Sequence, residues 1–492
     1  LNSIRFSFFL YLSHSKGQCG RIKPEPIHKE DLQEAITVKK RSVSLVLLVG
    51  MIMSLLAGCG GNNNKPASES AVSPEPSASA SASASASATA SETTGEVEKK
   101  PEDYKGEITV WTWNNDYFKE RVADFNATYP NVKVNLTFMG WGDYLTKFET
   151  TKASGGGLPD VALAESYWWG KMLSYKDTFL DLSTLGFNKT DLLASAADAV
   201  MNEEGKFVAI PEGLGVGAIW YRKDLAKQYL GTDDPNELAA KLSTWDDFFK
   251  AGDTIKDQSG GKVYLTPNAT DTIEALIGSL KTAGKSYVDG DKLLIEDNMT
   301  PAFQYVETGL KSGTIGKLEG PAADAAWSQG NVVFFPSAGW REGFIPSVDK
   351  DGKGRWGVME PPGGSYFRGG TAELVVDNKD QAKAELAALF IKHSLYSEQG
   401  MKVNNKFGNV SSVKSIVDSK LTNGVNEFYG QDLTAIFYEW LSKMPAAKYG
   451  KSDSIIEDAL KTQANAIQKA GITAAVAISN AAKEIKDKAG IE

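Results

Sequence analysis

Cysteine and histidine, the residues that most often carry nucleophilic, metal-binding or proton-transfer chemistry, are almost missing from this chain. Across 492 residues the only cysteines are Cys19 and Cys59, and the only histidines are His14, His28 and His393. All but His393 precede the part whose pattern reads as folded. That part therefore has no thiol nucleophile, no disulfide and no Cys/His metal site, and one histidine remains for acid or base work. His393, in Phe390-Ile391-Lys392-His393-Ser394, lies on a helical pattern far from any nucleophile and is expected to be structural. Catalytic residues, metals and cofactors are each expected to be none. The chain is instead rich in flat rings, with 11 Trp and 17 Tyr. Such rings, set beside planar polar side chains, suit stacking and hydrogen bonding and need make or break no bond.

The net charge of -9 and pI near 5.2 argue against nucleic acid, since neutralising phosphates needs clustered Lys and Arg. The clearest basic cluster, Lys39-Lys40-Arg41, has another use. It precedes an apolar run from Val43 to Leu48, then Met51-Ile52-Met53, and the segment ends at Leu56-Ala57-Gly58-Cys59. This is the order of a secretory signal, too short for the roughly 20 apolar residues of a membrane span. The ending resembles the lipobox of bacterial lipoproteins. Residues 38–58 are thus expected to be a cleaved signal, with lipid on Cys59. Residues 1–37 fit no part of such a signal, and translation is expected to begin at Val38. Residues 59–103, with strict Ser/Ala alternation from Ser77 to Ala88, lack the apolar content to fold and read as a disordered spacer. About 40 residues of flexible chain reach roughly 35 Å.

Beyond the spacer, strand and helix patterns alternate. Glu107 to Trp113 is β-rich, Tyr117 to Tyr129 has helical spacing closed by Pro130, and Val132 to Phe138 is β-like again. Trp141 to Ala153 reads as a helix and Leu158 to Ala164 as a buried strand. Alternation of this kind predicts an α/β architecture with a parallel sheet. Phe207 to Pro211 and Val216 to Tyr221 read as two strands separated by Glu212-Gly213-Leu214-Gly215, a candidate crossing between lobes. Thr244-Trp245-Asp246-Asp247 has the form of a capping box that starts a helix. Asn331 to Phe335 and Glu373 to Val376 are further strands, while Gln381 to Leu395 and the alanine-rich Ser454 to Lys488 are helical.

In this order the pieces resemble the maltodextrin-binding-protein-like family, the extracellular solute-binding proteins of carbohydrate ABC importers. The resemblance runs from about Gly106 to the C-terminus. It rests on Ile108-Thr109-Val110-Trp111, Tyr129-Pro130-Asn131-Val132-Lys133-Val134, Gly157-Leu158-Pro159-Asp160-Val161, Ala209-Ile210-Pro211, Trp220 to Leu225, Thr244 to Phe248, Trp340 and Phe367 to Thr371. It implies an α/β, two-lobed, periplasmic-binding-protein-like clamp with a hinge of several crossings, each lobe a mostly parallel sheet flanked by helices. By analogy, residues 104–215 and 356–396 form one lobe, and 216–355 and 397–492 the other. The implied partners are a carbohydrate, the transmembrane permease of the importer and, through a lipid anchor, the extracytoplasmic face of the membrane. Nucleic acid is not among them, and a monomer is expected.

Ligands of open α/β sheets sit outside the carboxyl ends of strands. Sugars offer apolar C–H faces and a rim of hydroxyls, so the candidates are aromatic and polar residues at those ends. They are Trp113 and Asn114 after the first strand, Glu165, Tyr167 and Trp168 after the third, and Trp340 and Arg341 after Phe334-Phe335-Pro336. Arg368 and Gly370 join them, the glycine because it admits close approach to backbone. Asp143 could meet hydroxyls, with helix capping as its plainer use. Trp245 and Trp356 are assigned to packing, and Trp440 to core or cleft. Two rival functions are a binding protein for a non-sugar solute and an exported glycoside hydrolase. The second needs paired carboxylates across a bond, whereas Glu165 and Asp143 sit in a binding-protein pattern without a nucleophile motif.

Overall fold

Strand β1 (Gly106–Thr112) buries Ile108 and Val110 completely, and everything around it is arranged to cover that face. This computed structural model describes residues 99–492. The extension at 1–37, the signal at 38–58, Cys59 and the spacer before Lys99 lie outside the described residues. In chain order there follow α1 (Asn115–Thr128), β2 (Val132–Phe138), α2 (Trp141–Ala153), β3 (Val161–Glu165), β4 (Ile210–Arg222), α3 (Trp245–Ser259) and α4 (Ala269–Thr282). Next come the short hairpin strands β5 (Val288–Asp289) and β6 (Lys292–Leu293), α5 (Thr300–Ser312), β7 (Phe334–Ala338), β8 (Trp356–Met359) and β9 (Phe367–Val375). Helices α6 (Gln381–Tyr396), α7 (Leu433–Lys443), α8 (Asp453–Ala470) and α9 (Ala474–Ala489) complete the chain, with short helical turns between. Thr244 caps α3 as its sequence predicts, its Oγ1 accepting from the Asp247 amide at 3.1 Å. No helix among the described residues is long and apolar enough to cross a membrane.

The main sheet has the order β2-β1-β3-β9-β4-β7, with β8 also on β4. Only β1–β2 and β1–β3 run parallel among the named strands of this sheet; β9 is antiparallel to β3 and β4, and β4 is antiparallel to β7 and β8. The sheet is therefore mixed, where a mostly parallel one was expected. The connecting strands explain the difference: β4 carries the chain out of the first sheet and β9 brings it back, so the two oppose each other. Isolated parallel bridges, Tyr264 to Val332 and Thr266 to Ile315, lie beside β7.

Strand β4 is one element of 13 residues, where the pattern predicted two strands and a junction. Its first half pairs with β9 and its second half, from Gly217, with β7 and β8. The glycine-rich junction became two register shifts inside a continuous strand, between Pro211 and Gly213 and between Leu214 and Val216. Glycine is required at 215, where a Cβ would lie 2.0 Å from the Arg368 carbonyl oxygen.

Three apolar clusters fill the interior. The first holds β1, β3, α6 and both halves of β4 and extends to Phe335 of β7 and Trp356 of β8, the second joins α4, α5, α8 and α9, and the third sets α3 against β4 and β7. In α8 and α9, Ile456, Leu460, Ile478 and Ile485 are buried, each worth about 1.5–3 kcal/mol. That contribution is needed, because α8 turns charged residues toward the site described below. Residues 397–414, grouped with the second lobe by analogy, pack on first-lobe elements, whereas Asn426, Tyr429 and Phe437 pack on second-lobe ones, Tyr429 Oη donating to the Glu342 carbonyl at 2.6 Å. Gln399 donates to Asp124 at 2.8 Å, Lys406 reaches Glu120 at 2.8 Å, and the Leu193 amide donates to the Ser412 carbonyl at 2.7 Å. His393 is structural in this sense, its Nε2 lying 2.8 Å from Asp124. Trp356 and Trp440 are both buried in the first cluster.

Candidate functional site

The ends of β1, β3 and β7 and the glycine pair of β9 open into one cleft of about 1270 Å³. Trp113, Asn114, Glu165, Tyr167, Trp340, Arg368 and Gly370 all line it; Asp143, Trp168 and Arg341 do not. Each of these positions has a local cause. Asn114 caps α1, its side-chain oxygen accepting from the Tyr117 amide at 3.3 Å, so it stands where β1 ends and the helix begins. The neighbouring Trp113 is held edge-on by Tyr144 and Trp168, with ring centroids 4.8 and 5.7 Å away. Trp168 itself is buried behind that ring and serves as wall. Asp143 is exposed in the first turn of α2, where its charge complements the helix N-terminus.

Glu165 sits half-buried on the cleft floor. It accepts from Ser166 Oγ and from the Tyr167 amide, both at 2.9 Å. Burial pushes its carboxyl up to about 7 despite those two bonds. Gly369 marks its nearest neighbour across the floor. A Cβ at Gly369 would lie 3.1 Å from Trp340 Nε1 and 3.9 Å from Glu165 Oε1, so indole, carboxylate and bare backbone converge. Gly369 and Gly370 have φ of +76° and +109°, conformations that disfavour side chains. At Gly370 the constraint comes from the fold, since a Cβ there would meet Gly213 O and Gly215 N at 2.8 Å.

Trp340 is 40% exposed, an unusual state for an indole. Arg341 lies outside the cleft because its guanidinium is wedged among rings, 4.6 Å from the Trp340 centroid, 4.7 Å from Phe344 and 5.1 Å from Trp327. It fixes the platform from behind. Arg368 lines the cleft but is already engaged, paired with Glu274 and donating to the Pro336 carbonyl at 3.0 Å.

One wall escaped the strand-end rule. Lys281 of α4 reaches Asp453 at 2.5 Å and Glu457 at 3.7 Å, Tyr287 donates to Glu457 at 3.1 Å, and Lys461 lies 3.8 Å from Glu274. Burial raises the Glu457 carboxyl, with Lys281 opposing the rise. Lys461 also places its ammonium 4.0 Å from the Tyr167 centroid, so that ring face is covered. The signal was present: Asp453, Glu457 and Lys461 recur every four residues, one face of a helix. Trp141 lines the cleft as well and is 45% exposed. The pattern had shown it only as a helix start. Of the cations lining the cleft, Arg368, Lys281, Lys406 and Lys461 have carboxylate partners, whereas Lys448 has none among the ion pairs of the described residues. Among the described residues no group of three or more His, Cys, Asp or Glu side chains is placed to hold a metal ion.

The family model for bacterial extracellular solute-binding proteins matches residues 111–402. The lactose-binding protein of Rhizobium radiobacter is 24% identical over 396 residues, covering 74% of this chain and 89% of the relative. The arabinooligosaccharide-binding protein of Bacillus subtilis is 26% identical over 319 residues, 60% of this chain and 70% of the relative. Among solved structures, an ABC substrate-binding protein of Listeria monocytogenes in complex with cycloalternan superposes with a TM-score of 0.65. It is 20% identical and covers 79% of this chain and 100% of its own, a likeness of fold.

Proposed function

The chain belongs to the bacterial extracellular solute-binding protein family, and from that premise we propose that it captures a carbohydrate in the cleft and delivers it to the permease of an ABC importer. The observation that carries this reading is the convergence of Trp340, Glu165 and the Gly369–Gly370 backbone on one floor. An indole face takes the C–H face of a pyranose, the carboxylate accepts from its hydroxyls, and glycine lets the ring approach the main chain. Two lobes joined through β4 and β9 can close over such a ligand by hinge motion, and the closed form is the one a permease would select.

Capture alone accounts for the site, and no bond is made or broken. The protein works as a monomer at the extracytoplasmic face of the membrane, held there by lipid on Cys59. The experiment is a thermal-shift and tryptophan-fluorescence screen across mono-, di- and oligosaccharides. One saccharide class raises the melting temperature, because a ligand of the native state alone must do so, and changes tryptophan emission. Trp340→Ala abolishes both responses without lowering the unliganded melting temperature by more than a few degrees. A Trp340→Ala protein that binds as before would remove the indole from the site. Release of shorter sugars at enzyme-like turnover would favour the hydrolase reading instead.

A further inference from the structure

We propose that α8 is the closing arm of the clamp, pinned to the first lobe at its root and latched to it further along by the Lys461 ammonium on the face of Tyr167, so that this contact sets how long the cleft stays shut. The inference rests on the clamp and carbohydrate reading proposed above and adds to it a device that governs release.

The root is a broad contact of ring on ring. Directly before α8 the chain runs as a strap, Pro445 to Gly450, along the cleft wall. The Ala447 amide donates to the Ser195 carbonyl at 2.8 Å. Tyr449 stacks on Trp169, the ring centroids 5.0 Å apart and the planes 11° from parallel. Trp169 is buried in the first apolar cluster and opens the short helix Trp169–Leu173, so the strap is fastened to first-lobe structure. Backbone meets backbone at the next residue, where a Cβ on Gly170 would lie 2.4 Å from the Gly450 carbonyl oxygen. Gly450 then leads into α8, its amide donating to Asp453 Oδ2 at 3.0 Å. From Asp453 onward the helix belongs to the second lobe: Ile456, Leu460 and Ala464 are buried in the second cluster, and Lys281 of α4 holds Asp453 at 2.5 Å.

Eight residues beyond Asp453, about 12 Å of helix rise, Lys461 returns to the first lobe. Its ammonium stands 4.0 Å from the centroid of Tyr167, a ring that packs on the first cluster just after β3. Glu274 and Asp458, each 3.8 Å away, hold the cation from the second lobe. The Lys461 side chain is only 22% exposed, and shielding from water strengthens an ammonium on an aromatic face. The Tyr167 hydroxyl is buried without a hydrogen-bond partner among the described residues, so the ring face alone makes the contact. The two attachments differ in how they break. Opening the root means separating stacked rings and touching backbones, whereas a cation on a ring is lost beyond about 6 Å. A turn of roughly 10° about the root moves the end of an arm of about 12 Å by about 2 Å, enough to reach that limit. The same turn moves Glu457, which lines the cleft nearer the root, so release of Lys461 and opening of the site are one motion.

The test is stopped-flow release of whichever saccharide binds, followed by tryptophan fluorescence. Lys461→Met and Tyr167→Ala each raise the dissociation rate roughly 5- to 30-fold, about 1 to 2 kcal/mol. The double variant stays within about twofold of the faster single one, since both substitutions remove one contact. Association stays within about twofold of wild type, because the arm closes after the ligand has entered. Lys461→Arg and Tyr167→Phe, which keep a cation and a ring, keep release slow. Multiplying effects in the double variant, a change confined to association, fast release in both conservative variants, or release as slow as wild type in Lys461→Met overturns the inference and leaves the carbohydrate reading standing. If no saccharide binds, the carbohydrate reading falls and small-angle scattering decides on the latch. A larger radius of gyration in Lys461→Met and Tyr167→Ala than in wild type then supports it, and an unchanged one overturns it. The unliganded melting temperature of each variant guards against misfolding as the cause.

Discussion

Burial holds the Glu165 carboxyl at about 7, so this side chain changes charge near neutral pH in the middle of the cleft. A carboxylate accepts from two hydroxyls, whereas the protonated acid loses one of those acceptors. A sugar that donates to it therefore prefers the ionised form. Affinity is expected to rise with pH up to about 7 and then level off, with a loss approaching tenfold per pH unit below. Glu165→Gln should bind more weakly at high pH and show a flat profile. Fluorescence titrations between about pH 5.5 and 8.5 check this, and a flat wild-type profile would take Glu165 out of contact with ligand. Stability carries the opposite sign. The folded carboxyl titrates above its ordinary 4.5, so between those values the native state holds a proton that the unfolded chain has released. The contribution of Glu165 to stability thus falls as pH rises through that window. Much of this floor could be read from residue order, because side chains at strand ends face the cleft. The rule failed for Trp168 and Arg341, whose neighbours turn them back into the wall, and for Trp141, Glu457 and Lys461, which arrive on helices.

Among the elements, α1 is tied to both crossing strands by one fully buried guanidinium. Arg121 Nη1 donates to Glu212 of β4 at 2.9 Å and lies 2.6 Å from Glu373 of β9, the latter an ion pair without hydrogen-bond alignment. Burial, and after it the Glu373 charge, pushes the Glu212 carboxyl well above the usual range, which favours a protonated Glu212 and a trio without net charge. Replacing Arg121 with Met would strand a buried carboxylate beside the two strands that cross between the lobes. The expected loss is about 3–5 kcal/mol, read as a lower urea midpoint, whereas replacing all three with apolar residues should cost far less. A loss under about 1 kcal/mol for Arg121→Met would mean that water reaches the trio. This arrangement was not legible in the chain, because Arg121, Glu212 and Glu373 are far apart in sequence and each sits in a locally ordinary pattern. Periodicity located β1, β2, β3, α3 and α6, whose apolar spacing is self-sufficient. It split β4 in two, since bulged glycines look like a break unless the partner strand is known.

At the scale of the whole molecule, the folded part starts near Gly106 and a stretch of some 40 residues rich in Ser and Ala precedes it, back to Cys59. A receptor that only captures must still meet its permease. On the proposed lipidation of Cys59, a flexible spacer of that length would reach roughly 35 Å and keep that encounter effectively intramolecular at the membrane. One acyl chain alone anchors weakly, so a lipid anchor at Cys59, as proposed, would need more than one chain to hold the protein through many transport cycles. The prediction concerns place and leaves the fold untouched. Cys59→Ser should move the protein from the membrane fraction to the extracytoplasmic soluble fraction, with saccharide affinity and melting temperature unchanged, while uptake at limiting sugar concentration falls. If Cys59→Ser stays with the membrane after high-salt washing, some other segment holds it there. If uptake survives full release, the tether contributes no effective concentration, and free diffusion suffices for delivery.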